Sequence, residues 1–226
     1  MAYERNHLFG RIGRMALLFA GVLLPLALFG MLAEDVAERK SFSFDRPILL
    51  LVHAMASPFL DMAMYWITQA GSALVLVPLN AVVLGWLMKR RQRAAAAFWA
   101  ISVVGAAVIN FAAKNMFTRV RPSMWLSRVA ETTYSFPSGH AMSTMATVTA
   151  LCVLLWPTRL RWPVLGVGGL YVALVGTSRV YFGVHYPSDI LAGWAASLAW
   201  VVGVKLLLDH RQRRADGRGA TSPKTA

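Results

Sequence analysis

The sequence predicts an all-α fold, a six-span transmembrane helical bundle with its candidate site at the non-cytoplasmic face. Three observations carry that reading. The first is composition: 57% of the 226 residues are apolar and 15% are charged, whereas soluble domains hold about 45–50% and about 25%. The second is segmentation, because the apolar residues fall in runs between short polar stretches, and a chain of this length holds about six helices of about 20 residues. The third is the placement of charge. Basic clusters (Arg5, Arg11 and Arg14; Lys89, Arg90, Arg91 and Arg93; Arg159 and Arg161; Arg211, Arg213, Arg214 and Arg218) occupy every second hydrophilic segment, and most acids lie in the others. That alternation marks a multi-pass protein by the positive-inside rule and puts both termini in the cytoplasm.

The elements follow in order. Residues 15–33 form a run longer than the 7–15-residue core of a signal peptide and long enough to cross the hydrocarbon. Residues 48–56 are apolar but too short to span, so they are assigned to the outer interface. The second span covers about 62–88 and the third, after a tight basic turn, 94–113. The fourth covers 141–156, and Pro157 and Pro163 bracket the next loop as helix punctuation. The fifth, 164–177, is too short to meet lipid at both ends, so it must stop inside protein or beside a watery cavity. The sixth covers 190–208, and residues 209–226 read as a basic, disordered cytoplasmic tail. Residues 1–208 therefore form one integral domain, and no 20–50-residue repeat divides it.

A net charge of +13 raises the question of nucleic acid. The arginine runs lack interleaved aromatic stacking platforms, so they are topology signals touching anionic lipid, and no nucleic-acid partner is expected. Cys152 is the only cysteine, which excludes an intrachain disulfide.

The topology gathers unusual residues on the non-cytoplasmic side, where ionisable groups at the membrane margin mark function. Lys114 and Arg121 are seven residues apart, close to two helical turns, so both can point at one anion. Pro137-Ser138-Gly139-His140 stands directly before an apolar helix. Serine there is a good N-cap, glycine admits a ligand to the backbone, and the unpaired N–H groups favour an anion. The third piece runs from Ser178-Arg179 to His185 and Asp189, with Pro187 suited to the first position of the last helix. A carboxylate in that first turn can hold one imidazole nitrogen and leave the other free to attack.

Three cations, a helix start and two histidines, one with a carboxylate partner, fit phosphoryl transfer. Fixed cationic donors stabilise the charge spread over the equatorial oxygens. One neutral histidine attacks phosphorus, and the other protonates the departing oxygen and then activates water. Neighbouring cations oppose a bound dication, so neither a metal nor any other cofactor is expected.

With these residues the chain resembles the type 2 phosphatidic acid phosphatases. The family signature is a lysine, six residues and Arg-Pro; Pro-Ser-Gly-His; and Ser-Arg, five residues, His, three residues, Asp. All three blocks stand here complete and in order, as Lys114 to Pro122, Pro137 to His140, and Ser178 to Asp189. The resemblance covers about Met15 to Leu208. It implies a helical bundle and metal-independent hydrolysis through a phosphohistidine. It also implies that His185 is the nucleophile, Asp189 its orienting partner and His140 the general acid. Lys114, Arg121, Arg179, Ser138 and the Gly139 backbone would then bind phosphate.

The site's side of the membrane points to a lipid phosphate entering from the outer leaflet of a plasma or inner membrane. Undecaprenyl pyrophosphate is the first choice, with phosphatidylglycerophosphate, phosphatidate and lipid A phosphates as competitors. The loop 123–136, with Trp125, Arg128, Glu131 and Tyr134, reads either as a rim selecting the head group or as an interfacial anchor. Rival readings are a lipid phosphotransferase of the same family, a non-enzymatic lipid transporter or scaffold, and a vanadate-dependent haloperoxidase.

Overall fold

The computed structural model describes residues 13, 15–125, 127, 129 and 131–219, the last seven by backbone alone. The N-terminal basic cluster, Arg128 and residues 220–226 lie outside the described residues. The described chain is helical, in the order α1 (Met15–Ala37), α2 (Asp45–Ala54), α3 (Pro58–Ala70), α4 (Ala73–Lys89), α5 (Arg93–Phe117), α6 (Gly139–Leu155), α7 (Arg161–Tyr181) and α8 (Pro187–Gly219).

Among the described residues, five segments are long and apolar enough to cross a membrane: α1, the α3–α4 pair, α5, α7 and α8 as far as Gln212. The protein is therefore a multi-pass membrane protein. The 17-residue α6 is shorter, but at 1.5 Å per residue it still reaches about 25 Å. It packs between α5, α7 and α8 at the centre of the bundle.

Burial is uneven, and the unevenness places the site. The most apolar window of α8 is 56% buried, against 17% for α1 and for the α3–α4 pair. The outer helices present residues such as Leu24, Met31, Leu74 and Val82 outward, where lipid is as good a solvent for them as a protein core. Toward the end marked by the basic turn Arg90-Arg91-Gln92, the core is built from Leu87, Ala96, Phe98, Trp99, Ala150 and Val204. Asn80 ties α4 to its neighbours, donating from Nδ2 to Thr147 Oγ1 at 3.2 Å and accepting the Trp99 indole N–H at its backbone carbonyl, also at 3.2 Å.

Several boundaries differ from the sequence expectations. The second apolar segment begins at Pro58, where Ser57 caps α3 by accepting the Leu60 N–H at 3.3 Å. It breaks at Gly71-Ser72. A Cβ at Gly71 would collide with Val175 Cγ1, so the break lies where α7 packs tightly against the chain. Tyr171 of α7 donates its hydroxyl to the carbonyl of Ala70 at 2.8 Å and so satisfies the end of α3.

The fifth segment is not a short 164–177 helix but 21 residues long. Polar Ser178 and Arg179 look like a terminus in the sequence, yet they continue α7 because protein rather than lipid surrounds them, and both are fully buried. The tail is also corrected: α8 continues through 209–219 instead of ending near Leu208.

Candidate active site

The site forms where the C-termini of α5 and α7 meet the N-termini of α6 and α8. Ser138 caps α6 by accepting the Ala141 N–H at 3.5 Å, while its own N–H donates to the carbonyl of Asp189 at 3.1 Å. The starts of the two central helices are thereby locked together. Gly139 and His140 open α6, and Pro187 opens α8, as the sequence reading expects. The turn that carries His185 needs Gly183, whose φ of +64° favours glycine. Trp125 packs directly on that glycine and stacks against His53 of α2 with ring centroids 3.9 Å apart.

The expectation that Lys114 and Arg121 share one helical face is overturned. α5 ends at Phe117, and Thr118 takes a left-handed conformation with φ of 47°. The two cations converge through the following loop instead. Lys114 Nζ donates to Thr133 Oγ1 at 3.2 Å and to the carbonyl of Tyr134. Arg121 donates from Nη2 to the same Thr133 Oγ1 at 3.2 Å and the same carbonyl at 3.3 Å. Its Nε reaches the Thr133 carbonyl at 2.7 Å and its Nη1 the Val184 carbonyl at 2.6 Å.

His185 is 1% exposed. Arg121 Nη1 lies 3.1 Å from its Nε2. A guanidinium only donates, so Nε2 must present a lone pair, and the neutral ring carries its proton on Nδ1. That Nδ1 faces Asp189 Oδ2 at 3.4 Å. Burial pushes the His185 pKa down to about 4; the Asp189 carboxylate opposes the shift, and Arg121 and Arg179 reinforce it. At neutral pH the ring is therefore an uncharged base with Nε2 toward the cations.

Asp189 is fully buried and has firmer partners than His185. Oδ2 accepts the Ser135 hydroxyl at 2.5 Å and the Tyr186 N–H at 2.9 Å, and Oδ1 accepts Arg119 Nη1 at 2.5 Å. Arg179 donates to Thr68 Oγ1 at 2.7 Å and pairs with Glu131, while its buried Nε has no hydrogen-bond partner. Glu131 also pairs with Arg121 Nη2 at 3.3 Å. One carboxylate thus bridges two of the three cations assigned to phosphate. His140 stands within electrostatic range of Arg179, His185, Arg121 and Lys114.

All eight candidate residues therefore meet at one end of the bundle. Sequence reasoning did not find Arg119, Ser135, Thr68 or Asp45 as parts of the site, and it left Glu131 in a loop read either as a head-group rim or as an interfacial anchor. Arg119 carried one legible signal, a third cation between Lys114 and Arg121. Asp45 and Thr68 carried none, since they join from helices far away in sequence. Among the described residues, no group of three or more His, Cys, Asp or Glu side chains is placed to hold a metal ion.

Fold and site together define a multi-pass helical membrane protein with a buried histidine–carboxylate pair beside a cluster of cations. Residues 94–213 match the PAP2 superfamily, and the chain belongs to it. It is 28% identical over 185 residues to an undecaprenyl-diphosphatase of Sulfolobus acidocaldarius, covering 80% of this chain and 85% of the relative. It is 30% identical over 176 residues to phosphatidylglycerophosphatase B of Bacillus subtilis, covering 75% and 86%. The crystal structure of a transmembrane PAP2-type phosphatidylglycerolphosphate phosphatase from Bacillus subtilis superposes with a TM-score of 0.73 at 26% identity, covering 82% of this chain and 96% of that one. Every candidate residue falls within the matched 94–213 segment, whereas Asp45 and Thr68 lie outside it.

Proposed function

We propose that the protein is a metal-independent lipid phosphate phosphatase that works through a phosphohistidine at His185, with undecaprenyl pyrophosphate as its first-choice substrate. The observation that carries this reading is the orientation of His185, with a neutral ring, Nδ1 toward Asp189 and Nε2 beside a cationic cluster. That is the arrangement of an oriented nucleophile in an electrostatic cradle.

In the first step the Nε2 lone pair attacks phosphorus, and the bond from phosphorus to the departing lipid oxygen breaks. His140 gives that oxygen its proton, and Asp189 holds the imidazolium character that develops on His185. In the second step water attacks the phosphohistidine, His140 takes the water's proton, and inorganic phosphate leaves with His185 restored. Lys114, Arg121, Arg179 and the start of α6 at Ser138 and Gly139 hold the phosphate oxygens through both steps. The incoming phosphate competes with Glu131 for Arg121 and Arg179.

The substrate enters from the outer leaflet, and both termini are cytoplasmic. The basic turns at 90–93 and 159–161, which join the helix ends opposite the site, support this orientation. The relatives support the substrate class, since one is named for a prenyl diphosphate and another for phosphatidylglycerophosphate. Phosphatidylglycerophosphate is accordingly the second reading.

The test is phosphate release by the purified protein in detergent with EDTA, comparing undecaprenyl pyrophosphate, phosphatidylglycerophosphate and phosphatidate, with His185→Ala as control. Release by the wild type alone supports the chemistry, and the ranking of rates orders the lipids. Release that requires added magnesium overturns the metal-free mechanism. Phosphate found on an acceptor lipid instead of in solution makes the protein a transferase.

A further inference from the structure

We infer that Arg119 is a positioning residue for the catalytic pair, fixing the Asp189 carboxylate for His185 while Asp45 of α2 holds Arg119 in place. The inference rests on the phosphatase reading above and adds a residue that is one of the six unspecified positions between Lys114 and Arg121 in the first signature block and lies outside the phosphate-binding set.

The contact between His185 Nδ1 and Asp189 Oδ2 is 3.4 Å, the longest that Asp189 makes. A bond that long leaves the imidazole little say over how the carboxylate lies. The plane of Asp189 is set instead by Arg119 on Oδ1 at 2.5 Å and by Ser135 and the Tyr186 N–H on Oδ2. Arg119 is the charged member of that set.

Arg119 is itself fixed at several points. Its Nη2 donates to Asp45 Oδ2 at 2.9 Å, and its Nη1 also reaches Ser188 Oγ at 2.8 Å. Asp45 is only 4% exposed, and the start of α8 holds it, through the Ser188 N–H at 2.9 Å and the Ser188 hydroxyl at 2.6 Å. The guanidinium also lies over the Tyr186 ring, 4.2 Å from its centroid. A planar fork with one arm on each carboxylate does this, and a lysine point charge cannot bridge both acids in the same way. The arms of Arg119 are spent on Asp45, Ser188 and Asp189, so it acts on the reaction through Asp189 and not by holding phosphate.

The experiment compares the wild type with Arg119→Gln, Arg119→Lys and Asp45→Asn as full-length proteins in detergent. Each is checked for a monodisperse peak and its melting temperature, then assayed for phosphate release from undecaprenyl pyrophosphate with EDTA. Arg119→Gln should lower kcat about a hundredfold at nearly constant KM, Arg119→Lys should recover about tenfold of that, and Asp45→Asn should fall between Lys and wild type. In an Asp189→Asn background, Arg119→Gln should cost less than about threefold more, because both changes remove one function. A raised KM with unchanged kcat, or full multiplicativity with Asp189→Asn, overturns the inference.

A second readout needs no turnover. The imidazole nitrogen-15 signals that vanish in His185→Ala should show an Nδ1-protonated ring in the wild type and a mixture of tautomers in Arg119→Gln. An unchanged ring in a folded Arg119→Gln variant overturns the inference. If the wild type releases no phosphate, the phosphatase reading fails while this spectrum still decides the role of Arg119.

Discussion

The two ends of the bundle are built on different rules. Toward the Arg90-Arg91-Gln92 turn, the interior is made of Leu87, Ala96, Phe98, Trp99 and Ala150, held by shape and apolar contact. At the other end the fully buried side chains include Arg179, His185 and Asp189, each with named polar partners. An apolar interior tolerates exchange of similar volumes, because no single atom needs a particular partner. A buried ionic network does not, since removing one member strands another. Under the proposed function the charges of this end are placed for chemistry, and the rest of the bundle supplies the stability that keeps them there.

Substitutions at the two ends sharpen this contrast. The largest effect is expected from His185→Ala, which removes the nitrogen proposed to attack phosphorus. Phosphate release should fall by roughly a thousandfold or more, and a rate near wild type removes His185 as nucleophile. Arg179→Lys keeps the charge but loses the fork that spans Thr68 and Glu131. A loss in kcat/KM on the order of a hundredfold is expected, and equal rates would show that charge alone suffices at that position.

Acid supplies the third comparison. His185 is held neutral down to about pH 4 by burial, so its nucleophilic form persists well below the ordinary imidazole range. The acid limb due to His185 in the kcat/KM profile should lie near that value and fall about tenfold per pH unit below it. The linked stability has the same sign. Between about 6.5 and 4 the unfolded chain binds the proton that folded His185 refuses, so stability is full above that window and declines as pH falls through it. A melting temperature that rises as pH falls from 6.5 to 4 would contradict this.

Glu131→Gln should act in the favourable direction, because it removes the carboxylate that competes with phosphate for Arg121 and Arg179. Inhibition by orthovanadate should tighten by about three- to tenfold, while a weaker inhibitor constant would make Glu131 part of the phosphate cradle. The smallest effect on activity is expected at the opposite end. Leu87→Ala should lower stability by about 2–3 kcal/mol through the cavity it opens, yet leave kcat within about twofold, as measured on protein confirmed folded. A catalytic loss there comparable to that of Arg179→Lys would break the comparison.

How much of this was legible in the sequence depends on whether each interaction is local. Helix starts were readable because capping is local: Ser138 before α6 and Pro187 opening α8 act within one turn of themselves. The pairing of His185 with Asp189 was readable for the same reason, as the two are four residues apart at a helix start. The end of α7 was misread because a polar pair in an apolar run looks the same whether water or protein receives it. Thr68, from a helix more than a hundred residues earlier in the chain, decided the matter.

The sequence by itself determined the membrane bundle, the catalytic residues proposed for it and their end of the molecule, because hydrophobic run length, capping and charge alternation act over short stretches of chain. Only the tertiary structure decided that Lys114 and Arg121 meet through a loop, that Glu131 bridges two arginines, and that Arg119 joins Asp45 to Asp189. Those are bonds between residues 10 to 74 positions apart, and their partners are chosen by how the helices pack around them.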